Sequence, residues 1–243
     1  MAKWALDDAT LDAYITTFYG HTGYEAKYWF VGMEFGGGNS AAEIVSRIQG
    51  WDERGRPELE DIVGPPGQEG SPFFRPPYPL QPTWAKLIRV ALSAEGPPPT
   101  TEHVRAYQTE RLGRAGGLDC LLELLPLPSP GLSQFKFYPE SSELPYLHDR
   151  AAYVRHVAPA RISHLRRRIA EYRPAAVVFY GSSYAGWWRQ IAGMEFRAAP
   201  IGKVALASNG QTQFVIMQHP TAFGVGSAYF AAVGRLIAGA PPP

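Results

Sequence analysis

Residues 28–33 (Tyr28, Trp29, Phe30, Val31, Gly32 and Met33) form a run with no polar side chain that needs water. A strand with one wet face alternates apolar and polar residues. A strand apolar on both faces has to be covered on both, as in the middle of a parallel sheet. The run leads into Glu34, Phe35 and the glycines Gly36, Gly37 and Gly38. Ser40 and Glu43 then carry the spacing of a capping box at a helix start. Strand, glycine turn and helix in that order make an α/β unit. Such folds bind ligands at the carboxyl ends of their strands, and Glu34 stands at that place.

The same reading extends along the chain. Apolar runs at 118–125, 175–180 and 211–217 supply three more strands fit to be central. Apolar residues at helical spacing predict helices over 7–19, 82–95, 101–112, 149–172, around 187–191, and over 227–238. Pro159 is expected to break the helix over 149–172, because proline lacks an N–H and clashes with the preceding turn. Asn209 and Gly210 signal a hairpin between 203–207 and 211–217. Alternation of this kind predicts a three-layer α/β/α sandwich around a central, mainly parallel four-stranded sheet. No linker divides the chain, so one domain over 1–243 is expected, with a frayed tail at 240–243. The long loop at 50–82 is rich in Gly, Pro and charge. It reads either as a functional surface or as an insertion packed on the core through Phe73 and Phe74.

Composition removes several classes. A single cysteine, Cys120, excludes an internal disulfide, a four-cysteine zinc site and a four-cysteine iron–sulfur cluster. A net charge of +1 argues against a strongly basic nucleic-acid binder while leaving room for a local basic face. Arg166, Arg167, Arg168 and Arg173 are the densest basic group, but they cannot all share one helical face. The N-terminus has no apolar signal core and no run is long enough to span a bilayer. A cytoplasmic monomer without a membrane contact is the expectation.

Motif spacing removes more. The glycine stretch lacks the Gly-x-Gly-x-x-Gly spacing of a dinucleotide site and the Lys-Ser/Thr of a P-loop. What it keeps is backbone N–H groups that can approach a ligand closely. There is no Gly-x-Ser-x-Gly nucleophile elbow. His148, Asp149, His156 and His164 have no zinc spacing, so neither metal nor cofactor is expected. Glu34 reads either as a surface or salt-bridged carboxylate or as a catalytic one. His219, just past an apolar strand, reads either as a structural imidazole or as a functional group. The two stretches are expected to meet at one pocket.

Two motifs carry a family resemblance. Gly32-Met33-Glu34-Phe35-Gly36 and His219-Pro220-Thr221 resemble the paired motifs of the uracil-DNA glycosylase superfamily. Its single-strand-selective and mismatch-specific branches have Gly-Met/Ile-Asn-Pro-Gly first and His-Pro-Ser or Asn-Pro-Ser second. Strand order is similar over roughly 25–235. The resemblance implies an enzyme without a cofactor that flips a modified base from DNA into a pocket and hydrolyses its N-glycosidic bond. Glu34 would handle the water and His219 the departing base. Gly32, Met33, Phe35, Gly36 and Glu123 would form the base pocket, with Phe35 stacking on the base and Phe73 or Phe74 as alternatives. Pro220, Thr221 and Phe223 would form a loop that wedges into the duplex.

The chain departs from the family at three places: Phe35 replaces a proline, three glycines replace one, and Glu123 stands where the base-reading asparagine is expected. A carboxylate only accepts hydrogen bonds, which favours a base edge rich in donors. Two other classes fit the same residues: a binding protein for nucleic acid or a nucleotide, and an unrelated α/β hydrolase or transferase.

Overall fold

A computed structural model of the chain describes residues 6–63, 71–131, 135 and 137–239. Part of the long loop, including Gly64 to Gly67, and the tail at 240–243 lie outside the described residues. The helices are α1 (Asp8–Thr17), α2 (Ala41–Glu53), α3 (Pro82–Glu95), α4 (Thr101–Glu110), α5 (Phe137–Ser141), α6 (Arg150–Tyr172), α7 (Ala185–Ala192) and α8 (Ser227–Ile237). The strands are β1 (Gly20–His21), β2 (Tyr28–Glu34), β3 (Leu59–Glu60), β4 (Asp119–Leu125), β5 (Ala176–Tyr180), β6 (Arg197–Ala198), β7 (Ala205–Ser208) and β8 (Gln213–Met217). Among the described residues, no helix is long and apolar enough to cross a membrane.

The sheet has eight strands in the order β3-β1-β4-β2-β5-β8-β7-β6 and is mixed. This corrects the expectation of four mainly parallel strands. The four long apolar runs are neighbours at its middle, and β2, β5 and β8 pair in parallel. Beyond β8 the sense reverses, since β7 pairs antiparallel with β8 and β6 with β7. The reversal comes from the Asn209–Thr212 turn, where Asn209 Oδ1 accepts from the N–H groups of Gln211 (3.0 Å) and Thr212 (2.8 Å). The extra strands β1, β3 and β6 are two residues each, too short to show a period in sequence.

Two compact units divide the chain. The first holds residues 1–20, 32–59 and 123–165; the second holds 21–31, 60–122 and 166–243. In the first, Leu11, Tyr14, Ile15, Ile44, Ile48 and Trp51 are fully buried. Tyr14 packs edge-on against Trp51 at 5.1 Å and stacks on Phe18 at 4.9 Å. Each such burial contributes about 1.5–3 kcal/mol, so this small cluster is a core in its own right. Arg161 is also buried here. Its guanidinium donates to the carbonyls of Leu124 (2.6 Å), Ile15 (3.0 Å) and Glu123 (3.0 Å) and lies 3.7 Å from the Tyr19 ring centre.

In the second unit, Tyr28, Phe30, Val178, Tyr180, Val215 and Met217 face α3, α4 and α8. The opposite face meets other helices: Phe179 stacks on Trp188 of α7 at 5.3 Å, and Trp29 lies against Tyr172 at the end of α6. A Cβ on Gly234 would sit 2.4 Å from the Val90 carbonyl oxygen, so glycine is what lets α8 approach α3. Phe73 and Phe74 pack on Trp84 at 5.6 and 5.5 Å, which is the packed-insertion reading of the long loop. Gln108, fully buried, clasps that loop: its amide donates to the carbonyls of Phe73 and Pro79 and accepts from Gln81 N–H.

The expected break at Pro159 does not occur. α6 runs unbroken through it. The lost hydrogen bond and ring clash disfavour proline by about 3 kcal/mol. Burial of Val157, Ala158, Ile162 and Leu165 on both sides of it offsets that loss.

Candidate functional site

Glu34 closes β2 and belongs to the first unit. Gly32 and Met33 before it are buried in the strand. The Glu34 side chain is only 10% exposed, and Arg150, the first residue of α6, places Nη1 2.9 Å from its Oε2. The contact is an ion pair outside hydrogen-bond alignment. Burial pushes the Glu34 pKa above its ordinary value, and the Arg150 charge opposes that rise without cancelling it. Glu34 is therefore a carboxylate in a dry place with one cation on it, and it can act as a base.

The glycine loop that follows is already occupied. Glu43 in the first turn of α2 accepts from the N–H groups of Gly38 (2.8 Å) and Asn39 (3.0 Å). Ser40 Oγ accepts from Glu43 N–H (3.2 Å), which is half of the expected capping box. The other half is displaced, because Glu43 reaches past the cap residue to the loop. The amides expected to approach a ligand therefore hold an internal carboxylate. Gly36 is exposed. Phe35 is half-buried and tilts against Phe18 at 5.5 Å, while its carbonyl accepts from Ser129 N–H. Its ring is thus engaged in packing.

Glu123 lies buried in β4, also in the first unit. Its backbone is tied on both sides: the N–H donates to Tyr19 O and the carbonyl accepts from Arg161. Tyr138 and Tyr153 are buried on α5 and α6 and sense the charge of Glu34, which contributes to raising both phenol pKa values after the larger effect of burial.

His219 belongs to the second unit and follows β8. Its ring meets Tyr180 edge-on at 5.7 Å. Nδ1 accepts the Thr221 backbone N–H (3.2 Å) and lies 2.9 Å from Thr221 Oγ1. A backbone N–H can only donate, so the neutral ring carries its proton on Nε2. The ring is exposed by surface area, yet the surrounding protein desolvates it enough to hold its pKa below the ordinary value. The neutral donor form is thus the one present near pH 7.

The base of this loop is fixed. Gln218 N–H donates to Tyr229 Oη (3.0 Å), and Gln218 Nε2 donates to Ser182 Oγ (2.6 Å). Pro220 is buried and Thr221 exposed. Phe223, by contrast, is fully exposed at 103%. It borders an open cleft of about 230 Å³ lined also by Lys203, Gln218, Val225 and Tyr229.

The predicted residues thus fall into two groups. Gly32, Met33, Glu34, Phe35, Gly36 and Glu123 share the first unit; His219, Pro220, Thr221 and Phe223 share the second. Nothing in the sequence singled out Arg150 or Gln218, and Glu43 was visible only as a cap. The spacing of Glu43 from Ser40 was visible, but not that its carboxylate turns to the glycines. Among the described residues, no group of three or more His, Cys, Asp or Glu could hold a metal ion. No family model matches the chain, and no curated protein matches it in sequence.

Proposed function

We propose that this chain is a uracil-DNA glycosylase-like enzyme, a three-layer α/β/α protein that binds DNA as a monomer and hydrolyses the N-glycosidic bond of a modified base. The observation that carries the reading is the His219 loop. It presents an Nε2–H donor with its other nitrogen tied to Thr221, and a bare phenylalanine four residues on. In the reaction, the bond from C1′ to the base breaks and the base leaves with the electron pair as an anion. His219 Nε2–H donates to that anion. Water adds to C1′ and gives its proton to Glu34. Phe223 fills the gap left by the extruded base.

Oligonucleotides carrying uracil, hypoxanthine, xanthine or mismatched thymine test this. At least one should show strand scission after alkali, and Glu34→Ala and His219→Ala should each slow release by about 100-fold or more. No scission with any of them would overturn the proposal. One observation favours the alternative of nucleic-acid binding without catalysis: the Gly38 and Asn39 amides of the glycine loop already hold the Glu43 carboxylate. Retention of these oligonucleotides without scission would select it.

A further inference from the structure

We propose that Arg150 is the positioning residue of Glu34, the counter-ion that keeps this buried carboxylate in place and available as a base. The inference rests on the role given to Glu34 above. Its first support is placement. Arg150 opens α6, and a cation at a helix N-terminus opposes the helix dipole. It is also mostly buried, with 20% of its side chain exposed. Neither feature helps the helix, which is capped independently by Asp149: Oδ1 accepts from Ala152 N–H at 2.8 Å.

The form of the contact is the second support. A pair built for stability is forked and aligned, whereas here the 2.9 Å approach of Nη1 to Oε2 falls outside hydrogen-bond alignment. Buried ion pairs are in any case weak sources of stability.

The third support is the surroundings. Tyr138 Oη donates to the Pro128 carbonyl, and Tyr153 Oη accepts from Leu127 N–H. Both phenols are thus turned to the backbone; Arg47 acts on Tyr138, and Arg161 and Arg150 act on Tyr153. Among the described residues, Arg150 is the charged group that acts on Glu34 itself. Burial already pushes the Glu34 pKa up. Without Arg150 the carboxyl would stay protonated to higher pH and lose its capacity as a base.

The test uses the full chain with ¹³C-labelled glutamate, Glu34 being assigned by its loss in Glu34→Gln. In Arg150→Met the Glu34 titration midpoint should rise by about 1–3 pH units, while Arg150→Lys should return it most of the way. If Arg150→Met does not fold, Arg150→Gln makes the same comparison. An unchanged midpoint, with or without a lower Tm, overturns the proposal. With whichever oligonucleotide is cleaved, the acid limb of the pH–rate profile should move by the same amount. A shifted midpoint in a protein that cleaves none of them overturns the glycosylase reading and leaves the counter-ion assignment standing.

Discussion

Arg161 shows how a single charged side chain can be structural where it looks functional. It is 1% exposed, and its three nitrogens donate to three carbonyls drawn from the end of β4 and the end of α1. Those carbonyls have lost water, so removing the donor leaves them unsatisfied, which is costlier than the bonds are worth when made. Arg161→Met should therefore destabilise the fold by about 3 kcal/mol in urea unfolding. Arg161→Lys should rescue little, since one ammonium cannot span the fork. A loss below about 1 kcal/mol would show that water or a neighbour replaces the guanidinium. Arg150 differs in kind: it is 20% exposed and pairs with the Glu34 carboxylate. The two arginines lie on one helix, and burial with multiple carbonyls separates the structural one from the candidate site residue.

At the scale of elements, the glycine turn after β2 divides into positions that require glycine and one that does not. Gly38 has φ +73°, and a Cβ there would lie 2.7 Å from the Pro128 carbonyl oxygen. Gly36 has open space around the same point. Gly38→Ala should lose about 2 kcal/mol or more in thermal or urea unfolding, and Gly36→Ala should stay within about 0.5 kcal/mol of wild type. Equal effects would refute the assignment of the tight approach to Gly38. The long strands were readable in sequence because burial on both faces forces an unbroken apolar run, as in Tyr28 to Met33 and Ala176 to Tyr180. Two-residue edge strands leave no such trace. Nor does the persistence of α6 through Pro159, which depends on what packs against the helix. In the site, Glu34 and His219 were visible as polar residues ending apolar strands. Their partners divide by distance: Thr221 is local and sat in the motif, whereas Arg150 is brought to Glu34 only by the folded first unit.

For the whole molecule, charge limits how DNA could be held. The 23 basic and 22 acidic residues leave a net charge of +1, so a broad phosphate-tracking face is not available from bulk charge. Around the exposed Phe223, the cleft lining contributes one lysine, Lys203. Recognition under the proposed function must then rest on a few phosphate contacts and on the apolar wedge. Each neutralised phosphate adds about −0.9 to the slope of log K against log salt. Binding to a duplex carrying an abasic-site analogue should therefore show a slope between about −2 and −4. Phe223→Ala should weaken that binding about tenfold, near 1.4 kcal/mol, and leave the slope unchanged, because a phenyl ring releases no counterions. Fluorescence anisotropy at several salt concentrations measures both quantities. A slope near −8 would reveal an extended basic track, and a change of slope in Phe223→Ala would show that the loop's role is to position cations instead of filling the gap in the stack.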